Sequence, residues 1–328
     1  MTRSPHRITV VVIVTLLAAS CASGGSVARG VDRAACRVPT RVRRRHADAT
    51  EATAGIERFE VDLVDHDRAT PATATRRARP CRVLPTQIRL PATRTPEPMI
   101  VMAHGLDGDP DALGTLADTW ARAGYVVVAP MFPVTVKDEG GRSLPSETAL
   151  QAGDLRFVLD RMLEGNRRRT GPWFRRIDPA HLGAAGMSLG GLAVYASTIE
   201  SCCTDRRIDA AVLMAAVYRD VPDSAQHANR IPMMLLQGDV DPGYHNSRDA
   251  YSDLVAPKWF VTLHGSRHAP PFEEPRGPEA AVVDPATIAF WDLALRHDPT
   301  GPARIATAVR AHRGTTALRA DPGPSASG

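Results

Sequence analysis

The 328-residue sequence predicts an α/β protein with a mostly parallel central sheet, leading antiparallel strands and helices on both faces. The first observation behind this prediction is a series of short, almost continuously apolar runs, which are typical of strands buried on both faces of a parallel sheet. The second is that helix-length amphipathic segments separate these runs, so strand and helix alternate along the chain. With 43% hydrophobic residues, the chain can build one sizeable domain.

The elements follow in order from residue 56. Phe59, Val61 and Leu63 alternate with polar residues, and a similar signal resumes over 82–92, which indicates leading antiparallel strands. The buried-strand candidates are 99–105, 125–130, 181–188, 210–217, 232–239 and 259–265, and the predicted helices are 111–123, 146–164, 189–199 and 285–296. The domain is therefore expected to cover 56–297.

The N-terminus has the pattern of an export signal. Arg3 and Arg7 precede an apolar run that is too short to span a bilayer as a permanent helix, and small residues follow it. The letters LLAASC at 16–21 resemble a bacterial lipobox, which predicts lipid attachment at Cys21, with ordinary secretory cleavage nearby as the alternative. Residues 1–21 are thus predicted to be a signal peptide, and the protein to be anchored on the outer face of the cell membrane or secreted.

The segments that flank the domain differ from it in composition. Residues 22–55 are predicted to form a basic flexible tether, and 298–328 a mostly disordered tail with one transient helix around 305–312. The excess of basic residues behind the formal charge of +4 is concentrated in the tether, at Arg29, Arg33, Arg37, Arg41, Arg43, Arg44 and Arg45. Aromatic residues are not interleaved with these arginines, which argues against nucleic-acid binding.

Export also allows the remaining cysteines to form disulfides. These are Cys36, Cys81, Cys202 and Cys203, and the sequence leaves their pairing open. The chain has no C-x-x-C motif, so a redox role is not predicted.

The stretch HLGAAGMSLGGLAVYAS at 181–197 places a serine between glycines where a strand is predicted to turn into a helix. This is the context of the G-x-S-x-G motif, in which a sharp turn holds a serine hydroxyl clear of the sheet. Side chains in place of Gly186 and Gly190 would collide with neighbouring backbone. Ser188 is therefore the predicted nucleophile, and the backbone N–H of Leu189 a predicted oxyanion donor.

A serine nucleophile needs a base, and the base needs an acid to orient it. Asp239 and Asp241 are the two acid candidates, and Asp241 is favoured because it lies in the loop beyond the strand. His264 and His268 are the two base candidates after the next strand. His268 is favoured because a Gly-Ser turn can swing it over the sheet edge.

The strand that ends at Gly105 supplies the second predicted oxyanion donor, the backbone N–H of Leu106. His104 is expected to be a packed, hydrogen-bonded residue that shapes this loop. Four apolar residues are candidates for the substrate pocket, with a core role as the alternative: Met131, Phe132, Met187 and Trp259.

No metal and no cofactor are predicted. His264 and His268 lack a clear third ligand for zinc. Asp107, Asp109 and Asp111 hint at a calcium loop, but Ala112 replaces the glycine that an EF-hand requires.

In this order along the chain, HGLDG, GMSLGG, GDVDP and GSRHAPPF resemble the motifs of the α/β-hydrolase fold, and the resemblance covers about 56–297. It is strongest to the branch with dienelactone hydrolases, bacterial cutinase-like polyesterases and platelet-activating-factor acetylhydrolases. The segment DLRFVLDRML resembles the family's helix before the nucleophile strand. The resemblance implies Ser188, Asp241 and His268 as the triad, and the amides of Leu106 and Leu189 as the oxyanion hole.

Three positions depart from relatives in this branch. Dienelactone hydrolases have a cysteine where this chain has Ser188, which favours ester chemistry. Polyesterases usually have His or Trp at the position of Met187 and an aromatic residue at the position of Leu106. These departures favour a plain apolar wall and a short or medium acyl chain.

The sequence thus predicts an exported serine esterase for small or lipid-like esters, bound to the membrane through its lipid. An acyltransferase or peptidase on the same scaffold, and a non-catalytic ligand-binding lipoprotein, are the alternatives. Activity is expected to fall as the pH drops through roughly 6 to 7, where a histidine base takes up its proton. The natural ester and the oligomeric state are left open.

Overall fold

Ten strands form one sheet in the computed structural model, which describes residues 36, 42–45, 55–73, 76–136, 148–218, 230–312 and 314–323. The strands are β1 (Val42–Arg45), β2 (Ile56–Asp65), β3 (Arg82–Pro91), β4 (Glu97–Ala103), β5 (Val126–Pro130), β6 (Ile177–Met187), β7 (Ala210–Met214), β8 (Met233–Gly238), β9 (Lys258–Leu263) and β10 (Thr316–Asp321). Their order across the sheet is β1-β2-β3-β5-β4-β6-β7-β8-β9-β10.

Six helices accompany the sheet in the described part of the chain. They are α1 (Gly114–Arg122), α2 (Thr148–Arg167), α3 (Leu189–Ile199), α4 (Tyr244–Asp253), α5 (Ala280–Arg296) and α6 (Gly301–Arg310), and a 3-10 turn at Pro110–Leu113 precedes α1. Among the described residues, no helix combines the length and apolarity that crossing a membrane requires.

The sheet is mixed but mostly parallel. Strands β4 to β9 pair in parallel, whereas β1, β2 and β3 form an antiparallel edge and β10 pairs antiparallel with β9 at the other edge. Every residue of β5, β7, β8 and β9 is buried, as their continuous apolar runs predict. The predicted α/β class, with leading antiparallel strands, is confirmed.

Helices cover both faces of the sheet, so the molecule has a hydrophobic core on each side. On one face, α2, α3 and α4 pack side chains such as Leu159, Tyr195 and Tyr251 against the sheet. On the other face, α1, α5 and α6 contribute residues such as Trp120 and Trp291. Two layers of helices therefore leave the ends of the strands as the exposed parts of the sheet.

The segment after residue 297 corrects the prediction of a mostly disordered tail. It forms α6 and then β10, whose residues pair with β9 from Thr316 opposite Leu263 to Asp321 opposite Lys258. Ile305 and Val309 lie one helical turn apart and are buried against the second core. The transient helix predicted around 305–312 overlaps α6, whereas the Pro, Gly, Ala, Ser and Thr composition of the segment gives no sign of β10.

Part of the predicted tether is also ordered. Strand β1 pairs antiparallel with β2, and a disulfide joins Cys36 to Cys81 just before β3. A second disulfide joins the adjacent Cys202 and Cys203. The predicted signal peptide with Cys21, and most of the tether, lie outside the described residues.

The helix boundaries show where the sequence pattern was weak. Helix α5 begins at Ala280, five residues before Pro285, where the sequence predicts its start, and carries that proline inside the helix. Helix α4 was not predicted, because its sequence YHNSRDAYSD is largely polar and buries only Ser247, Ala250 and Tyr251.

Candidate active site

Ser188 lies at the sharp turn between the end of β6 and the start of α3. Its backbone has φ 54° and ψ −118°, a region that non-glycine residues rarely adopt and that costs about 1–3 kcal/mol. Neighbouring strands hold this conformation. The Ser188 N–H donates to the Met214 carbonyl at 2.9 Å, and its own carbonyl accepts from Leu192 at 3.1 Å and from Val217 at 3.3 Å.

Close backbone contacts explain the glycines on either side of this turn. A Cβ at Gly186 would overlap the carbonyl oxygen of Gly190, and a Cβ at Gly190 would overlap the carbonyl oxygens of Ala103 and His104. The helix start can therefore approach the ends of β4 and β6 only because both positions lack a side chain. This packing fixes Ser188 at the carboxyl edge of the sheet.

The loops after β8 and β9 bring an aspartate and a histidine to the same edge. His268 Nε2 lies 2.8 Å from the Ser188 hydroxyl oxygen, and His268 Nδ1 lies 2.6 Å from Asp241 Oδ2. An imidazole that donates from Nδ1 to a carboxylate can accept a hydroxyl proton at Nε2. The three side chains therefore form one continuous hydrogen-bonded chain.

Asp241 is buried, and hydrogen bonds other than the one from His268 fix its carboxylate. Gln237, itself buried, donates to Asp241 Oδ2 at 2.7 Å, while the Gly243 N–H donates to Oδ1 at 2.8 Å. The Ser247 hydroxyl donates to the amide oxygen of Gln237 at 2.7 Å. Burial alone would raise the pKa of Asp241, but the hydrogen bonds to its oxygens outweigh that effect and lower the pKa below 3.8. The aspartate is thus fixed as a carboxylate.

The alternative acid and base pair with each other instead. His264 Nδ1 lies 2.7 Å from Asp239 Oδ2, and the Gly265 N–H donates to Asp239 Oδ1 at 2.7 Å. His264 has no hydroxyl partner among the described residues. This pair therefore lies beside the Ser188 chain without joining it.

Two backbone N–H groups are available beside Ser188. Among the described residues, neither Leu106 N–H nor Leu189 N–H donates to another protein group. The Leu189 N–H belongs to the first turn of α3, where helix amides are unpaired and partly positive. Both residues are thus free to donate to an oxygen that develops negative charge at the attacked carbon.

His104 fixes the peptide that carries the Leu106 N–H. The Phe132 N–H donates to His104 Nε2 at 3.0 Å, so the proton of the neutral imidazole is on Nδ1, which lies 2.8 Å from the Gly105 carbonyl. In a trans peptide, the carbonyl and the next N–H point in opposite directions. Holding the Gly105 carbonyl therefore turns the Leu106 N–H away from His104.

The neutral state of His104 follows from its surroundings. Burial lowers its pKa from 6.5 to about 4, and the hydrogen bond to Gly105 and the charge of Asp109 only partly offset this effect. A second proton, on Nε2, would also point at the Phe132 N–H, which needs that nitrogen as its acceptor. His104 is thus a buried, uncharged residue at ordinary pH.

Of the four candidate pocket residues, Met187 lies beside Ser188, and the other three have different surroundings. Phe132 is buried with its ring 4.9 Å from that of His104, and Met187 is buried at the end of β6. Trp259 packs on Phe290 and borders a cleft of about 530 Å³ among residues that precede β7, β8 and β9, at the opposite edge of the sheet. Met131 borders surface cavities beside Pro85. Phe132, Met187 and Trp259 are buried, as the alternative core role expects, and a substrate pocket formed by the four residues stays a prediction.

Exposed apolar side chains at the carboxyl edge were missed in part by the sequence analysis. Leu106, Val217 and Val240 are exposed, whereas nearly all large apolar residues of the described chain are not. Each follows a strand that ends at this edge, namely β4, β7 and β8. Val240 lies between two aspartates and Val217 ends an apolar run, and neither pattern tells an exposed valine at the sheet edge from a buried one in the core.

Two clusters of side chains in the described residues contain groups of the kinds that bind metal ions. Asp109 caps the 3-10 turn, where it accepts from the N–H groups of Asp111 and Ala112, so its side chain serves the loop. Elsewhere in the described residues, Glu200, Cys202 and Cys203 are close enough to share an ion, but the two cysteines are joined to each other.

Comparison with known proteins gives no further identification. No protein-family model matches this chain, and no curated protein matches it. The geometry of the carboxyl edge is therefore the basis for a function.

Proposed function

We propose that this protein is a serine esterase of the α/β-hydrolase fold that cleaves carboxylic esters of short or medium acyl chains. The observation that carries the proposal is the unbroken chain from the Ser188 hydroxyl through His268 to the buried Asp241, at 2.8 and 2.6 Å. The strained serine between β6 and α3 and the two free N–H groups support it.

In the proposed reaction, the Ser188 oxygen attacks the ester carbonyl while His268 takes the hydroxyl proton. The N–H groups of Leu106 and Leu189 bind the oxygen that becomes negative, each contributing on the order of 3 kcal/mol. His268 then gives its proton to the departing alcohol, which leaves an acyl-enzyme. Water, activated by the same imidazole, releases the acid and restores the hydroxyl.

The three exposed apolar residues at this edge favour an ester with a hydrocarbon chain. Leu106, Val217 and Val240 offer contact to an acyl chain without a deep pocket. We also propose that the protein is exported and anchored through Cys21, because the N-terminal sequence has the order of charge, apolar run and small residues that export signals have.

Hydrolysis of p-nitrophenyl butyrate by the wild type and by Ser188→Ala tests the proposal. We expect the variant to lose at least about 10⁴-fold in kcat, because the nucleophile is gone, and to keep the wild-type circular dichroism spectrum. A folded variant with wild-type turnover would refute the assignment. Amide substrates and alcohol acceptors, assayed alongside, separate an esterase from a peptidase or acyltransferase, and a wild type inactive on all of them would favour a binding protein.

A further inference from the structure

A carboxylate that the reaction above does not use lies beside the nucleophile. Glu273 follows His268 in the loop after β9, and its backbone N–H donates to the Ala269 carbonyl at 2.9 Å. This short turn directs the glutamate back toward the start of the loop. The side chain is half-buried, so it is neither a core residue nor a freely solvated one.

The position of the carboxylate is fixed by its distance to Gly105. The point where a Cβ of Gly105 would lie is 3.5 Å from Glu273 Oε1, 3.3 Å from Ser188 Cβ and 3.1 Å from Met187 Sδ. Glu273 Oε1 and Ser188 Cβ therefore border the same small space. Only a glycine at position 105 leaves this space open.

The part of the chain that the structure describes gives this carboxylate no hydrogen-bond donor. Among the described residues, none donates a hydrogen bond to the Glu273 side chain, whereas the neighbouring Glu274 accepts from the Thr115 N–H at 3.2 Å. Burial raises the pKa of Glu273 above 4.5, the charge of His268 lowers it, and the charge of Asp109 raises it. An unpaired, partly desolvated carboxylate is costly unless a bound group supplies the missing charge or donor.

The interaction with His268 indicates which part of the substrate meets Glu273. The departing alcohol receives its proton from His268 Nε2, so that part of the ester lies against the imidazole. The Glu273 N–H donates to the carbonyl of Ala269, the residue after His268, so Glu273 and His268 belong to the same hydrogen-bonded turn of the loop. The carboxylate therefore lies on the side of the site where the alcohol portion leaves.

We propose that Glu273 selects esters whose alcohol portion carries a positive charge close to the scissile bond. This inference rests on the esterase function proposed above and names its substrate class. A cationic alcohol group would supply the partner that the described residues do not provide, while the acyl chain meets the exposed apolar residues.

Butyrylcholine and 3,3-dimethylbutyl butyrate form a matched pair of esters, since they differ in a quaternary nitrogen against a carbon. The ratio of their kcat/KM values is measured in the wild type, in Glu273→Gln and in Glu274→Gln. The change in this ratio between proteins reports the contact, because the ammonium group also activates the ester chemically in every protein. We expect Glu273→Gln to lower the ratio about tenfold, as the loss of a close charge pair does in a partly desolvated site, and Glu274→Gln to leave it unchanged.

Hydrolysis of p-nitrophenyl butyrate by the same proteins separates the two proposals. If the wild type cleaves this neutral ester and Glu273→Gln lowers kcat/KM equally for both matched esters, the carboxylate supports His268 or the fold and does not select charge. A wild type that cleaves p-nitrophenyl butyrate but not butyrylcholine would also overturn the inference. A wild type inactive on all three esters would instead count against the esterase function.

Discussion

Two histidine–aspartate pairs follow the same neighbouring strands, β8 and β9, with almost the same separation between imidazole and carboxylate. His268 Nδ1 lies 2.6 Å from Asp241, and His264 Nδ1 lies 2.7 Å from Asp239. The two histidine side chains are also equally exposed, at 42% each. The aspartates differ, because the Asp241 side chain is 4% exposed and that of Asp239 is 28% exposed.

The two pairs thus show that the same imidazole–carboxylate distance occurs in very different surroundings. Asp241 is held from behind by the buried Gln237, and the second nitrogen of His268 meets the Ser188 hydroxyl. A buried carboxylate keeps a strong interaction with its imidazole, whereas an exposed pair is screened by water. The outer pair thus provides a matched control for every test of the inner pair.

The largest effect that distinguishes the two pairs is expected from the aspartates. Asp241→Asn turns an amide N–H toward His268 Nδ1, which favours the tautomer with a proton on Nε2, and this tautomer cannot accept the serine proton. We expect kcat/KM for p-nitrophenyl butyrate to fall about 10³–10⁴-fold. Asp239→Asn is expected to change it less than about twofold. Equal losses in the two variants would mean that burial of the acid does not separate the pairs.

A smaller effect is expected from His104, a third histidine near the same edge, whose hydrogen-bond partners among the described residues are backbone groups. Its pKa is about 4 in the folded protein and 6.5 in the unfolded chain, so between these values the unfolded chain binds a proton that the folded protein excludes. The free energy of unfolding therefore falls as the pH falls through this window. For this group we expect a loss of roughly 2 kcal/mol between pH 7 and about pH 5.

Urea unfolding at the two pH values measures this loss. His104→Gln is the matched variant, because a glutamine can accept from the Phe132 N–H and donate to the Gly105 carbonyl but does not titrate. It should lose roughly 2 kcal/mol less stability than the wild type on acidification. The same pH dependence in both proteins would show that His104 does not exclude the proton.

The parts of the fold that the sequence predicted are those with strong periodic patterns. The apolar runs at 125–130 and 210–217 became β5 and β7, and the helix predicted at 189–199 has the same bounds as α3. The sequence predicted only a transient helix around 305–312, where α6 covers Gly301–Arg310, and it did not predict β10, because the composition of this segment is typical of a tail. Their order comes from packing on α5 and pairing with β9, which a local pattern does not contain.

For the site, local sequence context placed the serine, because glycines at 186 and 190 are required by backbone contacts that follow from a strand-to-helix turn. The choice of Asp241 over Asp239 rested on its place in the loop. In the structure Asp241 is hydrogen-bonded to His268, which in turn is hydrogen-bonded to Ser188. The positions of Gln237 and Glu273 could not be predicted, since a glutamine inside an apolar run and a glutamate in a loop reach the site only through the tertiary fold. The same limit applies to Trp259, which borders a cleft at the other edge of the sheet.

The most direct test of the central claim, that His268 activates the Ser188 hydroxyl, is the rate at which a fluorophosphonate probe labels the protein, followed by mass spectrometry of the peptides. We expect one adduct, on Ser188, with a labelling rate that His268→Gln lowers at least about 100-fold and that His264→Gln leaves unchanged. A folded wild type without an adduct on Ser188, or the same labelling rate in both histidine variants, would contradict it.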